Sequence, residues 1–291
     1  MLAFAVRLYR IFDNQARSAA SDLGPLDVRE ITNDPFVAAK LAGSRPFVIE
    51  VPLAYCRNRR GFPYTQDGPH PFVRTTRAYA EGRAACYEGS PLERYYAHYQ
   101  PQNAAESLGL HGDPSPALLA APPYGVVVPW ERRPLAEGHE RCARIAKNES
   151  RTHGANLSLE HGTSGVGPVS KEKGALEFSR LAKLADSIRA KGYIRSEMRD
   201  GDISARPLLW CGRGVRYVLY GGKHRAAVLA ALGYERIPIR VRMGNLPRSD
   251  EIEQWPHVKD GTFSRAQARE LFRRVWEGQP PPSAVPPEWQ A

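Results

Sequence analysis

The pattern of apolar and polar positions changes character along the 291-residue chain. Up to about residue 130 it is irregular and punctuated by proline, with room for short elements only. Phe47–Leu53 has the β-branched and aromatic content of a strand, and Pro71–Gly82 predicts a helix. Ser90-Pro91-Leu92-Glu93 predicts a second helix start. Serine caps free amides, proline suits the first turn, and glutamate three positions on completes a capping box. This helix carries Tyr95, Tyr96 and Tyr99 at helical spacing, which reads as a packing stripe, because a base-stacking platform would interleave basic residues. Residues 131–174 lack apolar periodicity and contain His139, His153, His161 and six glycines from Gly138 onward, so they predict a long loop. Its stretch HGTSGVGPVSKEKG, residues 161–174, fits both a wrap around a polar ligand and a plain linker.

From about residue 175 the pattern turns regular. Phe178, Leu181, Leu184 or Ala185, and Ile188 give one apolar helix face, stopped by Gly192. Pro207–Cys211 and Val215–Tyr220 read as strands joined by a Gly212-Arg213-Gly214 hairpin. Gly221-Gly222-Lys223-His224-Arg225 then leads into the helix former Ala226–Leu232, ended by Gly233. Ile237–Val241 alternates as a strand whose Pro238 predicts a sheet edge or a strand start. A capping box at Ser264–Gln267 opens a helix through Leu271, Phe272 and Val275, and a Pro-rich tail covers residues 279–291. The predicted organisation is an irregular α-rich region over 1–135, an α+β domain with a mixed sheet over 136–250, a C-terminal helix over 251–278, and the tail.

Composition narrows the picture. No run approaches the roughly 20 apolar residues that cross a bilayer, and Met1–Val6 is cut by Arg7 and Arg10 before a secretion signal can form. The expectation is a cytoplasmic protein without membrane insertion. Cys56, Cys86, Cys142 and Cys211 form no C-x-x-C pair, which signals neither a zinc site nor a disulfide framework. The formal net charge is +10. Residues 1–130 carry 13 basic and 12 acidic side chains, whereas residues 131–291 carry 28 and 19, so the excess belongs to the second half. Either that half faces an anion such as phosphate, or it presents a solvated basic surface.

A strand running through Gly-Gly into a helix leaves backbone N–H groups free at the positive end of the helix dipole, where anions bind. Gly221 and Gly222 allow close approach, and Lys223, His224 and Arg225 add donors. Consecutive cations at a helix start disfavour the helix itself, which favours phosphate binding over a merely solvated turn.

At these residues the chain resembles a family. LAKLADSIRAKGYI, followed by a hairpin ending in RYVLYGGKHRAAVLAALGYERIPIRV, is similar to the ParB/sulfiredoxin fold over about residues 175–245. The resemblance implies that the turn grips nucleotide phosphates through Gly222, Lys223, His224 and Arg225, as sulfiredoxins hold ATP, ParB proteins hold CTP, and related small-molecule kinases act. Lys223 occupies the position of the sulfiredoxin cysteine, and an ammonium cannot reduce a sulfinic acid. The stretch after Val241 shows no helix-turn-helix, so specific DNA binding lacks its reading head. The segments HPFVRTTRAYAEG, SPLERYYAHYQPQNAAESLGL and VVVPWE resemble uncharacterised ParB-like proteins of bacterial surface-polysaccharide gene clusters.

The expected function is therefore phosphoryl transfer from ATP or another nucleoside triphosphate, with Mg2+, to a hydroxyl of a small molecule or glycan precursor. The alternatives are a non-enzymatic nucleotide-binding module whose N-terminal half meets a protein partner, and a DNA-binding ParB relative. Glu177 is the first candidate base because it stands near the start of the helix before the hairpin, and Glu172 is the second. Either also reads as a helix-start carboxylate satisfying the dipole. His224 joins them as a candidate catalytic group, while His161, Ser170 and Lys171 are candidate ligand contacts. His153 and His161 lack a third ligand at metal spacing, so no dedicated metal site is expected.

Overall fold

The structure is a computed structural model that describes residues 24–195, 201–244 and 246–290. The apolar start Met1–Val6 lies outside the described residues. The chain is an α/β protein with a six-stranded mixed sheet and ten α-helices among the described residues. The strands are β1 (Leu26–Asp27), β2 (Phe47–Pro52), β3 (Cys56–Arg57), β4 (Ser204–Trp210), β5 (Gly214–Gly221) and β6 (Arg236–Val241). Their order is β1-β2-β6-β4-β5-β3. β2 pairs antiparallel with β6, β4 antiparallel with β5, and the other three pairs are parallel. Strands from both sides of residue 135 thus share one sheet, so its mixed character is not confined to the second half.

The helices are α1 (Pro35–Ala42), α2 (Pro71–Ala80), α3 (Pro91–His98), α4 (Ala104–Leu108), α5 (Pro116–Ala120), α6 (Glu137–His153), α7 (Lys171–Lys191), α8 (Lys223–Ala231), α9 (Pro256–Lys259) and α10 (Arg265–Glu277). None is long and apolar enough to cross a membrane. Alternation along β5 explains the layering. Tyr217 and Leu219 join a core with α2, α7 and α8, while Val218 joins a second core with Val126–Val128, Trp255 and α10.

Most local signals operate as their chemistry predicts. Ser90 accepts from the Glu93 amide, although Glu93 reaches back to the Gly89 amide rather than closing on Ser90. Gly192, at φ 73°, ends α7, and Ser264 and Gln267 form the full capping box of α10. Tyr95, Tyr96 and Tyr99 are buried, so the stripe is packing.

Three elements differ from expectation. Within the predicted loop 131–174, α6 forms a 17-residue helix. Gly138 is its only buried residue, so an apolar face never develops in the sequence. The following Gly-rich stretch is fastened to α3, with the Tyr95 and Tyr96 hydroxyls donating to the carbonyls of Gly165 and Ser164. Gly167 is obligatory there, because a Cβ would lie 1.9 Å from the Tyr96 carbonyl oxygen. Second, Pro238 lies in an interior strand. Arg240 donates its N–H to Ile203 and the pairing of β6 with β4 begins at Arg240, so Pro238, two residues earlier, lies outside that ladder and its missing N–H removes none of its bonds. Third, the Pro-rich tail packs down. Trp289 is 7% exposed and stacks on Tyr95 at 6.4 Å beneath the Arg74 guanidinium.

Candidate functional site

The GGKHR turn sits where β5 ends and α8 begins. Gly222 is the N-cap at φ 70° and ψ 26°, a left-handed conformation that favours glycine, and a Cβ there would approach Ile203 within 2.9 Å. With no side-chain cap, the first amides of α8 stay available to an external acceptor.

The three basic residues of the turn go separate ways. Arg225 turns inward, is 6% exposed, and donates to the Gly201 carbonyl, so it clamps the fold rather than a ligand. The Lys223 side chain is exposed. Desolvation by the protein around it, followed by the charges of Arg59, Arg60 and Arg141, pulls its pKa down to about 8. Neither a hydrogen bond nor an ion pair engages Lys223 among the described residues.

His224 turns toward α7. Its Nε2 lies 2.6 Å from Oε2 of Glu177, whose side chain is fully buried, and Phe72 stacks on the imidazole at 4.7 Å. Glu177 lies in the second turn of α7, because the helix starts at Lys171 rather than near 175. It also pairs with Lys173 at 2.6 Å and Arg180 at 3.3 Å, and both cations share Glu149 of α6. Burial would raise the Glu177 pKa, but the hydrogen bond from His224 and the charges of Lys173 and Arg180 overcome it and hold the carboxyl below its usual range. Burial lowers the His224 pKa and Glu177 recovers only part of that shift, leaving a neutral imidazole at neutral pH. Beside an ionised Glu177, the proton resides on Nε2 and the lone pair on Nδ1. No described residue occupies Nδ1, and the side chain keeps 18% exposure. The pair is therefore a carboxylate-oriented imidazole whose free nitrogen can accept a proton.

His70 stands nearby and was not singled out by the sequence. Its Nδ1 accepts from the Phe72 amide, which places the proton on Nε2, a buried atom without an acceptor among the described residues. Burial, then the charges of Lys223 and His224, push its pKa down to about 3. Arg59, Arg60 and Arg141 were missed as well. The run Arg57-Asn58-Arg59-Arg60-Gly61 was the available signal, whereas Arg141 reaches the site through α6, which the sequence concealed.

The remaining candidates gather elsewhere. Ser170 caps α7 by accepting from the Lys173 amide, and His161 Nδ1 accepts from the Ser158 amide. Lys171 pairs with Glu88 on the surface. Glu172 is exposed at the start of α7, its pKa lowered by hydrogen bonds to its own backbone and Ser170, as a dipole-satisfying carboxylate would be. These four serve local structure, and their hydrogen bonds and ion pairs among the described residues involve neither Lys223 nor His224.

The donors at the turn suit phosphate oxygens. Magnesium is served less well: Glu177 and Glu131, the carboxylates of this region, are engaged by cations, and no cluster of three metal-ligating side chains occurs among the described residues. Comparison with protein-family models, curated proteins and solved structures finds no match to this chain.

Proposed function

We propose that this protein binds a nucleoside triphosphate, ATP in the first instance, by its phosphates at the start of α8, and transfers the terminal phosphoryl group to a hydroxyl of a small molecule or glycan precursor. In this reading residues 175–245 form a ParB/sulfiredoxin-like half, and the protein acts in the cytoplasm. The observation that carries it is the juxtaposition of Lys223, without a partner among the described residues, with an imidazole oriented by a buried carboxylate. Lys223 and the free amides of α8 hold the phosphates. His224 Nδ1 takes the proton of the acceptor hydroxyl as its oxygen bonds to the terminal phosphorus, and the bond to the bridging oxygen breaks with its electrons leaving on the diphosphate. Glu177 positions His224 and stabilises the imidazolium that forms, a role different from the base first expected of it. Since the carboxylates here do not suit magnesium, no step is assigned to a metal.

The lack of a free carboxylate beside the turn among the described residues favours one second reading, in which the site binds nucleotide without turnover. Titration calorimetry with ATP, CTP and GTP tests the shared claim. The expected result is binding that Lys223→Ala weakens at least ~10-fold, the worth of a charged hydrogen bond. An absence of binding to all three refutes both readings. Phosphorus NMR with hydroxyl acceptors separates them: His224→Ala keeps binding in either case and loses turnover only in the first.

A further inference from the structure

The arginines around Lys223 outnumber the carboxylates beside them, and the consequence below rests on the phosphate-binding reading above. Arg59 and Arg133 share one partner, Glu131, at 2.5 and 3.2 Å. Arg60 gives its donors to neutral oxygens, those of Ser107 and the Pro123 carbonyl. Arg141 has neither a hydrogen bond nor an ion pair among the described residues. Among the described residues a single acid, Glu131, is therefore paired with any of these four guanidiniums.

One stretch of backbone brings them together. Arg60 donates to the carbonyl of Pro123, Cys142 to that of Tyr124, and Arg133 to that of Val126. Gly138 packs so tightly on Gly125 that a Cβ would lie 2.1 Å from its carbonyl oxygen. Residues 123–126 thus dock the loop after β3, the segment around residue 133 and the first turns of α6 side by side, with Arg141 next to Cys142. Like charges held this close and partly away from water are unfavourable unless an anion completes the group. Burial lowers Arg59 to about 10 and lowers Arg141 as well, with neighbouring arginines adding to both shifts.

We propose that Arg59, Arg60, Arg133 and Arg141 form a second anion subsite, continuous with Lys223, which holds a phosphate group. Guanidinium forks match phosphate oxygens in pairs, and Arg141 offers the uncommitted fork. Two sources supply that chemistry: the distal part of a triphosphate chain, or a phosphate carried by the acceptor.

The test uses the full chain, with Arg141→Gln and Lys223→Ala as variants and ATP, inorganic tripolyphosphate and glucose 1-phosphate as probes in titration calorimetry. Because the Arg141 side chain has no structural partner, Arg141→Gln is expected to fold, with an unchanged or raised melting midpoint. A weakening of at least ~10-fold for ATP and tripolyphosphate in this variant assigns the subsite to the donor chain. A loss confined to glucose 1-phosphate assigns it to the acceptor. If Arg141→Gln binds all three as the parent does while Lys223→Ala loses ATP, the second subsite is refuted and the function reading stands. If the parent binds none of them, both fall.

Discussion

Glu177→Gln is the sharpest probe of the candidate site because it removes one charge and almost no volume. Glu149, Glu177, Lys173 and Arg180 sum to zero, and the substitution leaves a net positive cluster in which Lys173 is only 5% exposed. Breaking a buried ion pair on one side costs about 3–5 kcal/mol. Glu149 still serves both cations, so the expected loss is smaller, roughly 2–3 kcal/mol, or a Tm drop of roughly 5–10 °C in a protein of this size. The pH dependence identifies the cause. The folded-state pKa of Glu177 is depressed, so its stabilisation is present above its unfolded value of about 4.3 and is lost as pH falls below it. Calorimetric melts of parent and variant should therefore differ by a constant amount above about pH 7, where His224 is neutral in both, and the Glu177 share of the difference should disappear in buffer well below pH 4. A variant within about 0.5 kcal/mol of the parent at pH 7, the range of an inert surface change, refutes the network as a structural element.

Two other predictions concern different parts of the fold. His70 has its pKa depressed to about 3, so the unfolded chain binds a proton that the folded chain refuses. Stability should fall as pH drops below about 6.5, by roughly 2 kcal/mol at pH 5 from this group, and that share of the slope should be missing in His70→Asn when followed by urea unfolding. Gly167→Ala sets a methyl against the Tyr96 backbone, which cannot step aside, so a cost near the upper end of about 1–3 kcal/mol is expected in the same urea assay. A neutral result there would mean that the Gly-rich stretch is not held against α3.

The sequence revealed elements wherever a local code existed: the hairpin β4–β5, the cap at Ser264, and the apolar face of α7 down to Gly192. It concealed α6 because an exposed helix needs no apolar stripe, and Arg141 was hidden with it. Adjacency at the GGKHR turn suggested three phosphate contacts, yet successive helix residues point about 100° apart, so only Lys223 and His224 keep exposed surface while Arg225 enters the core. Glu177 was singled out as a base, but its partners Lys173, Arg180, His224 and Glu149 converge from three helices. Lys173 and Arg180 stand at helical spacing from Glu177, but the arrival of His224 and Glu149 from other helices leaves no trace in spacing. Arg59 and Arg60 stood in an arginine-rich run before a glycine, a cue that charge clustering alone would have recovered.

The pairing of β2 with β6 places Phe47 opposite Val241, 194 positions later. During synthesis Val48, Ile49 and Val51, all buried in the finished sheet, leave the ribosome long before the strand that covers them exists. Even at the faster end of translation, roughly 20 residues per second, that wait is on the order of ten seconds, far longer than helix or hairpin formation. The site at the start of α8 therefore comes together late, and before then the nascent chain presents an apolar strand that a chaperone or the neighbouring elements must shield.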